Sequence, residues 1–261
     1  MQKIVLQGIS YDDKSSFLKG TAAAPPAIRE CYHSPSANYY AENGLEISAE
    51  IFQDNGDLSP NHYFDIEEFT KSNLNDKFSI ITLGGDHSIT YPVLRAFREQ
   101  KGPVDILHID AHADLYEEFE GDRYSHACPF ARIMEEGLTD RLVQVGIRTL
   151  TQHQQEQAKK YDVEIIPAAR FSRENLPEFK NPVYLSLDVD ALDPAFAPGI
   201  SHYEPGGLTS RQVLDIIQHI NMPLLGADIV EYNPSRDFNQ MTGMLCAKFL
   251  KEISAKMLEF S

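Results

Sequence analysis

The stretch His108-Ile-Asp110-Ala-His112-Ala-Asp114, which continues the apolar run Val104-Asp-Ile-Leu, decides the fold of this chain. Asp110, His112 and Asp114 recur at every second residue, and in an extended chain this spacing sends their side chains to one side. The apolar run is typical of a buried parallel strand rather than of a solvated edge strand. Two carboxylates and an imidazole that converge at its end repel one another unless a cation lies between them. The stretch therefore predicts a metal site.

Two further apolar runs end in metal-binding residue types. Leu185-Ser-Leu-Asp188-Val-Asp190 places two aspartates two residues apart, and His87 follows the run from Phe78 to Leu83. The glycines before His87 do not form the G-x-G-x-x-G or G-K-[ST] pattern of a phosphate loop. A lone histidine after a strand is more often packed or solvated, but the two aspartate clusters favour metal binding for His87.

The candidate ligands are four carboxylates and two imidazoles: His87, Asp110, His112, Asp114, Asp188 and Asp190. Oxygen-rich sites favour Mn or Mg over Zn, and imidazole shifts the preference away from Mg. We therefore expect two Mn²⁺ ions per chain. Two ions about 3.5–4 Å apart lower the pKa of a bridging water, which supplies hydroxide near neutral pH.

Apolar runs alternate with helical patterns from Phe78 onward, and Thr209-x-x-Gln212 is a capping box that opens one of the helices. This alternation predicts an α/β fold with a parallel sheet and helices on both faces. The interval from Tyr32 to Pro60 is predicted to be surface loop with room for one strand, and the last helix to span about Phe238 to Phe260. Because no repeat or linker is visible, residues 1–261 are predicted to form one domain. Ligands of such sheets bind beyond the carboxyl ends of the strands.

Composition limits the class of partner. Lys and Arg number 23 against 39 Asp and Glu, a net charge of −16, which argues against nucleic acid or an anionic membrane. A cationic substrate or a metal suits that charge better. The three cysteines (Cys31, Cys128 and Cys246) are scattered, which fits a reducing compartment. With no signal segment and no apolar stretch of about 18 residues, the expectation is a soluble cytoplasmic protein.

Three motifs resemble the signatures of the ureohydrolases, the family that includes arginases and agmatinases. They are Gly84-Gly-Asp-His87-Ser, Asp110-Ala-His-Ala-Asp114 and Ser186-Leu-Asp188-Val-Asp190-Ala-Leu-Asp193-Pro. The resemblance extends to Lys14-Ser-Ser-Phe-Leu-Lys-Gly20 and Glu231-Tyr-Asn-Pro234. It implies an arginase-like three-layer α/β/α fold, two Mn²⁺ ions, hydrolysis of a guanidino group to urea and an amine, and a homo-oligomer, trimeric or hexameric.

The resemblance also implies residue roles. The ligands divide between the two ions as follows: His87 with Asp114, His112 with Asp190, and Asp110 and Asp188 bridging. His126 matches the histidine that moves protons toward the leaving amine, and Glu231 matches the carboxylate that binds the guanidinium. The predicted catalytic residues are His126 and Asp114, and the predicted substrate-binding residues are Glu231 and His126.

The segment from Tyr116 to His126 is most similar to plant-type arginases and the bacterial agmatinase-like enzymes near them. In animal arginases an Asn at the position of Tyr116 contacts the substrate α-carboxylate. The loop beyond Tyr116 has four acidic residues against Arg123, so we expect it to repel a carboxylate and to accept an amine. The favoured reaction is agmatine to putrescine and urea, a step of polyamine metabolism. The alternative is arginine to ornithine and urea, with Arg123 or a neighbouring subunit as the carboxylate donor, or another guanidino or formimino substrate.

Two other classes of protein are compatible with parts of this pattern. Zinc deacetylases share the fold but use one Asp-x-His and one distant Asp, and the two full aspartate doublets with His87 argue against that class. A non-catalytic metal- or polyamine-binding relative is disfavoured by the complete ligand set together with His126 and Glu231.

Overall fold

A computed structural model describes residues 3–75 and 77–260, and within them eight parallel strands form one sheet. The strands are β1 (Ile4–Ile9), β2 (Phe52–Leu58), β3 (Ser79–Leu83), β4 (Asp105–Ile109), β5 (Arg141–Ile147), β6 (Glu164–Pro167), β7 (Val183–Asp188) and β8 (Leu224–Val230). Their order across the sheet is β2-β1-β3-β8-β7-β4-β5-β6. The strands that precede the predicted site residues are therefore the four central neighbours β3, β8, β7 and β4.

The position of each strand in the sheet follows from its sequence. All residues of β3, β4 and β7 are buried, as expected for parallel strands covered on both faces. The edge strand β2 has the sequence Phe-Gln-Asp-Asn-Gly-Asp-Leu and is partly exposed along its whole length. Its polar side chains protect an edge that would otherwise pair with another chain.

Helices cover both faces of the sheet, as predicted. They are α1 (Ala24–Tyr32), α2 (Asp65–Asn73), α3 (Thr90–Lys101), α4 (Pro129–Glu135), α5 (Gln152–Lys160), α6 (Ser210–His219) and α7 (Met241–Glu259). One apolar core contains buried side chains of α1, α6 and α7, and a second contains side chains of α2, α3, α4 and α5. The α/β fold class and its three layers are confirmed. Within the described residues, no helix is long and apolar enough to span a bilayer.

Two details agree with the sequence prediction and two differ from it. The capping box at Thr209 is present and opens α6, and the interval from Tyr32 to Pro60 contains the one strand β2. Helix α2 was not predicted, because few of its residues are apolar. A polar contact helps to hold it on the sheet: the Thr70 hydroxyl accepts a hydrogen bond from the Gln7 side chain of β1 at 3.1 Å. The last helix begins at Met241 rather than near Phe238, because the Asp237 carboxylate accepts the backbone N–H groups of residues 238, 242 and 243.

Candidate active site

The ends of the four central strands lie level with one another. Leu83 pairs with Ile229, Ile229 with Leu187, and Leu187 with Ile109 in one row across the sheet. The chain leaves the sheet just after this row, so the segments that carry the predicted residues start from one line. This register brings together side chains that lie far apart in sequence.

The first group of ligands surrounds His87. Its Nδ1 lies 3.2 Å from Asp110 Oδ2, 3.1 Å from Asp114 Oδ2 and 3.1 Å from Asp188 Oδ2. All four side chains are buried, and Nδ1 has no hydrogen-bond partner among the described residues. An unpartnered buried nitrogen facing three carboxylate oxygens fits a bound cation.

The hydrogen bond at the other ring nitrogen of His87, Nε2, explains why Nδ1 is available to a metal. His87 Nε2 lies 2.9 Å from Ser186 Oγ, and the Ser186 hydroxyl donates to Asp228 Oδ1 at 2.7 Å. Because the hydroxyl proton is directed to Asp228, the Ser186 oxygen accepts a hydrogen bond from Nε2–H. The neutral ring therefore presents the Nδ1 lone pair to the carboxylates, which is the form that binds metals.

The second group of ligands surrounds His112. Its Nδ1 lies 3.0 Å from Asp190 Oδ2 and 3.5 Å from Asp110 Oδ1. Asp110 thus presents one oxygen to each histidine. Backbone hydrogen bonds hold the aspartates: Asp190 N donates to Asp188 Oδ1 at 2.7 Å, and Ala111 N donates to Asp190 Oδ1 at 3.2 Å.

The electrostatics of the cluster also fit a cation. Burial raises the pKa of the Asp188 carboxyl well above its usual range, and the charges of Asp190 and Asp110 raise it further. Burial likewise raises the pKa of Asp190. These carboxylates are costly to ionise together without a positive charge between them. Four carboxylates and two imidazoles form a donor set that fits Mn²⁺.

His108 belongs to the same cluster, although it was not among the predicted ligands. Its Nε2 lies 2.7 Å from Asp110 Oδ2, its Nδ1 is 3.0 Å from Gln144 Nε2, and its ring stacks on Phe130 at 3.8 Å. Because the Gln144 amide donates to Nδ1, Nε2 carries the proton and donates to Asp110. His108 therefore holds Asp110 in place. His108 stands two residues before Asp110, in the same alternating series as His112 and Asp114, so the spacing could have identified it.

His126 and Glu231 meet beside the cluster. His126 Nδ1 lies 2.9 Å from Glu231 Oε1, which also accepts the backbone N–H of His87 at 2.9 Å. Burial lowers the pKa of His126, but the charge of Glu231 and its hydrogen bond outweigh burial and raise that pKa to about 9. The pair can therefore hold a proton at neutral pH and above.

Ser16 is the second residue that sequence reasoning missed. Its Oγ lies 2.8 Å from His126 Nε2, and its backbone N donates to the same nitrogen at 3.2 Å. The segment from Lys14 to Gly20 carried the family resemblance, but no spacing rule connects it to a histidine over 100 residues away.

A cavity of about 260 Å³ opens onto the cluster. Outside the predicted site residues, its walls are formed by Ser16, Tyr116, Phe119, Ala127, Thr149, Thr151, Gln154, His202 and Glu204. Asp193 lies outside the cavity and accepts the backbone N–H groups of residues 195, 206 and 207, as a turn former does.

The acidic loop after Tyr116 was expected to act on the substrate. Among the residues that line the cavity, none is one of the four acidic residues of that loop. Asp122 forms an ion pair with Lys14 at 2.6 Å, and Arg123 pairs with Glu135 at 2.8 Å. The acidic side chains of this loop and Arg123 therefore lie outside the cavity walls, and the expectation that they act on a substrate carboxylate stays a prediction. The sequence located the loop near the site but could not show which way its side chains point.

Comparison with known proteins agrees with the fold. The model of the Arginase family matches residues 2–255. Arginase 1, mitochondrial, of Arabidopsis thaliana is 45% identical over 274 residues, which cover 97% of this chain and 80% of that protein. N(1)-aminopropylagmatine ureohydrolase of Thermus thermophilus is 37% identical over 251 residues, covering 91% and 85%. The structure of arginase from Medicago truncatula has 43% sequence identity and a TM-score of 0.92, covering 98% of this chain and 87% of that one.

A parallel α/β fold with paired aspartate motifs at its central strand ends defines a metal-dependent hydrolase of the ureohydrolase class, which cleaves guanidino C–N bonds. This chain belongs to the arginase family. Enzymes of this family depend on two manganese ions. The resemblance noted in the sequence is thus confirmed.

Proposed function

We propose that this chain is an arginase, which hydrolyses arginine to ornithine and urea. The similarity to plant arginases supports arginine more than agmatine, the substrate favoured from sequence. The observation that carries the proposal is the chemistry of the cavity mouth. The mouth combines a neutral hydrogen-bond donor with one carboxylate. The free end of arginine carries both a carboxylate and an ammonium group, whereas that of agmatine carries only an ammonium group.

The neutral polar side chains of the mouth lie on the segment that leads from β5 into α5. Thr149, Thr151 and Gln154 all line the cavity. Gln154 Oε1 accepts the backbone N–H of Thr151 at 3.1 Å, and Gln154 Nε2 has no acceptor among the described residues. The Thr149 hydroxyl donates to Ala111 O and the Thr151 hydroxyl to Gln154 Oε1, both at 3.3 Å, so the Gln154 amide is the donor suited to a substrate α-carboxylate.

Glu204 also lines the cavity, and its carboxylate is 4.0 Å from His112 Nε2. The Arg148 guanidinium holds the Glu204 carbonyl at 2.6 Å and the Asp190 carbonyl at 2.8 Å, so the loop of Glu204 is tied to the ligand loop. A carboxylate in this place is suited to the α-ammonium group of arginine. Arginine can pair with both the Gln154 amide and the Glu204 carboxylate, whereas agmatine, which lacks the α-carboxylate, can pair only with Glu204.

The roles of the buried residues follow the same proposal. His87 with Asp114 would hold one Mn²⁺ and His112 with Asp190 the other, with Asp110 and Asp188 available to both. When bound, the ions supply a hydroxide near neutral pH. Glu231 binds the guanidinium through its carboxylate, and His126 supplies the proton that the leaving amine needs. Because the eight strands share one sheet, we treat residues 1–261 as a single domain.

The test is urea release from arginine, agmatine and N1-aminopropylagmatine by the Mn²⁺-loaded chain. We expect kcat/KM for arginine to exceed that for agmatine by about tenfold or more, which corresponds to ~1.4 kcal/mol of transition-state discrimination. Glu204→Gln should lower kcat/KM for arginine, but not for a guanidino acid without the α-amino group. The matched control Glu118→Gln, at an exposed position outside the cavity, should change neither. Agmatine or its aminopropyl derivative ahead of arginine would contradict the arginase proposal.

A further inference from the structure

Both ring nitrogens of His126 are occupied by protein groups. Glu231 Oε1 lies 2.9 Å from Nδ1, and Ser16 Oγ lies 2.8 Å from Nε2. The His126 side chain is only 11% exposed, whereas Ser16 is exposed and lines the cavity. A proton that leaves Nε2 therefore meets the Ser16 hydroxyl before it meets a ligand in the cavity.

The hydrogen-bond donors around the ring define its proton positions in this arrangement. The backbone N–H of Ser16 can only donate, and it is directed at Nε2 at 3.2 Å. The Glu231 carboxylate accepts, so Nδ1 carries the proton. When Nε2 is also protonated, it can no longer accept a hydrogen bond from the backbone N–H of Ser16. The Ser16 hydroxyl can then rotate and accept a hydrogen bond from Nε2–H. The hydroxyl is thus the group at Nε2 that is compatible with both protonation states.

We propose that Ser16 Oγ relays the proton from His126 Nε2 to the leaving amine of the substrate, which extends the function proposed above. As the C–N bond breaks, its electron pair stays on the amine nitrogen, which takes the Ser16 hydroxyl proton. Ser16 Oγ simultaneously takes the proton of His126 Nε2. His126 ends with one proton fewer and the amine with one more, and no bond forms between Ser16 and carbon.

The segment that carries Ser16 is fixed to the site at three points. Lys14 N donates to Asp86 Oδ2 at 3.0 Å, and Lys14 Nζ pairs with Asp122 at 2.6 Å. The backbone N–H of His126 donates to Lys14 O at 3.2 Å. The loop of His126 and the segment of Ser16 are therefore held as one unit, and the relay distance does not depend on a free loop closing.

The experiment compares Ser16→Ala, Ser16→Thr and the control Ser15→Ala, each as the full Mn²⁺-loaded chain. Ser15 Oγ contacts Asp86 at 3.3 Å and not His126. Two substrates are used: arginine, whose leaving amine must be protonated, and an aryl guanidine, whose leaving aniline is far less basic. Urea release gives kcat and KM for each, and the solvent deuterium isotope effect on kcat is measured for arginine.

We expect Ser16→Ala to lower kcat for arginine by about 10- to 100-fold, with little change in KM; this is less than the ~10²–10⁴-fold usual for a general acid–base group, because His126 itself remains. The aryl guanidine should lose less than about threefold, because aniline is a better leaving group than an alkylamine and its departure depends less on proton transfer. Ser16→Thr, which keeps the hydroxyl, should restore most of kcat, and Ser15→Ala should match the unsubstituted chain. The isotope effect should fall in Ser16→Ala.

Two results would overturn the relay: unchanged kcat in Ser16→Ala, or an equal loss on both substrates, since the latter would mean that Ser16 does not act on protonation of the leaving amine. Failure of Ser16→Thr to recover activity while its Mn²⁺ content is normal would also count against it. If the unsubstituted chain releases no urea from any guanidino compound, the proposed function fails first, and the relay fails with it.

Discussion

Two site residues have backbone conformations that side chains rarely adopt. Asp114 has φ of 49° and Glu231 has φ of 64°, both in the left-handed region, at a cost of roughly 1–2 kcal/mol each. Neighbouring backbone groups hold them there, because Phe130 N donates to Asp114 O at 3.2 Å and Glu231 N donates to Gly85 O at 2.9 Å. The rest of the fold therefore offsets the cost of a strained backbone at these two residues of the candidate site.

His126→Asn tests the proton donor. We expect the variant to keep both ions and to lose turnover by about 10²–10⁴-fold, the usual contribution of a general acid–base group. In the unsubstituted chain Glu231 raises the pKa of His126 to about 9, so the protonated form, and with it kcat/KM, should decline as pH rises through that value. The variant should lack this alkaline decline. Unchanged turnover would remove His126 from the mechanism.

The sequence identified the candidate ligands more readily than the residues that hold them. Spacing alone brought out Asp110, His112 and Asp114, because alternate residues of a strand face one side. Ser16 could not be found in this way, since its contact with His126 depends on how two loops pack. The direction of the acidic side chains after Tyr116 was beyond prediction for the same reason.

At the scale of elements, the turn after β3 shows how closely the site loops are packed. A Cβ on Gly85 would lie 1.7 Å from the Tyr11 carbonyl oxygen, which accepts the backbone N–H of Asp86 at 2.9 Å. The residue at 85 must therefore be glycine if the segment of Ser16 is to reach its place. The parallel sheet and the helices on both of its faces were predictable from periodicity, but such close approaches were not.

Gly85→Ala should lower the free energy of unfolding by about 1–3 kcal/mol, the usual cost of overpacking, because the Tyr11 segment has to move. Gly121→Ala is the matched control: it has φ of 81° with no atom within 4 Å, so only the ~1 kcal/mol cost of its left-handed backbone is expected. Thermal melting of both variants measures the difference. A Gly85→Ala variant as stable as the control would show that the turn is looser than the structure indicates.

For the whole molecule, the buried carboxylates connect metal binding to stability. Mn²⁺ at about 1,000 times its Kd should stabilise the fold by ~4 kcal/mol per independent site. For a chain of this length, each filled site should therefore raise the melting temperature by roughly 8–16 °C over the chelated protein. Asp110→Asn and Asp188→Asn are the controls; they should retain fewer than two Mn²⁺ by elemental analysis and respond less. Equal melting temperatures with Mn²⁺ and with chelator would contradict the ligand assignment.

The order of the strands also determines when the site can exist as the chain is made. β8 is the last strand in sequence, yet it lies between β3 and β7. A growing polypeptide that has not yet emerged past Val230 has a sheet divided at its centre, with its earlier strands in two halves. Three of the four strand ends that carry the site are already synthesised by then, but β3 is not yet joined to β7 and β4 in one sheet. Assembly of this centre is therefore a late event of biosynthesis, and no shorter N-terminal fragment can contain it.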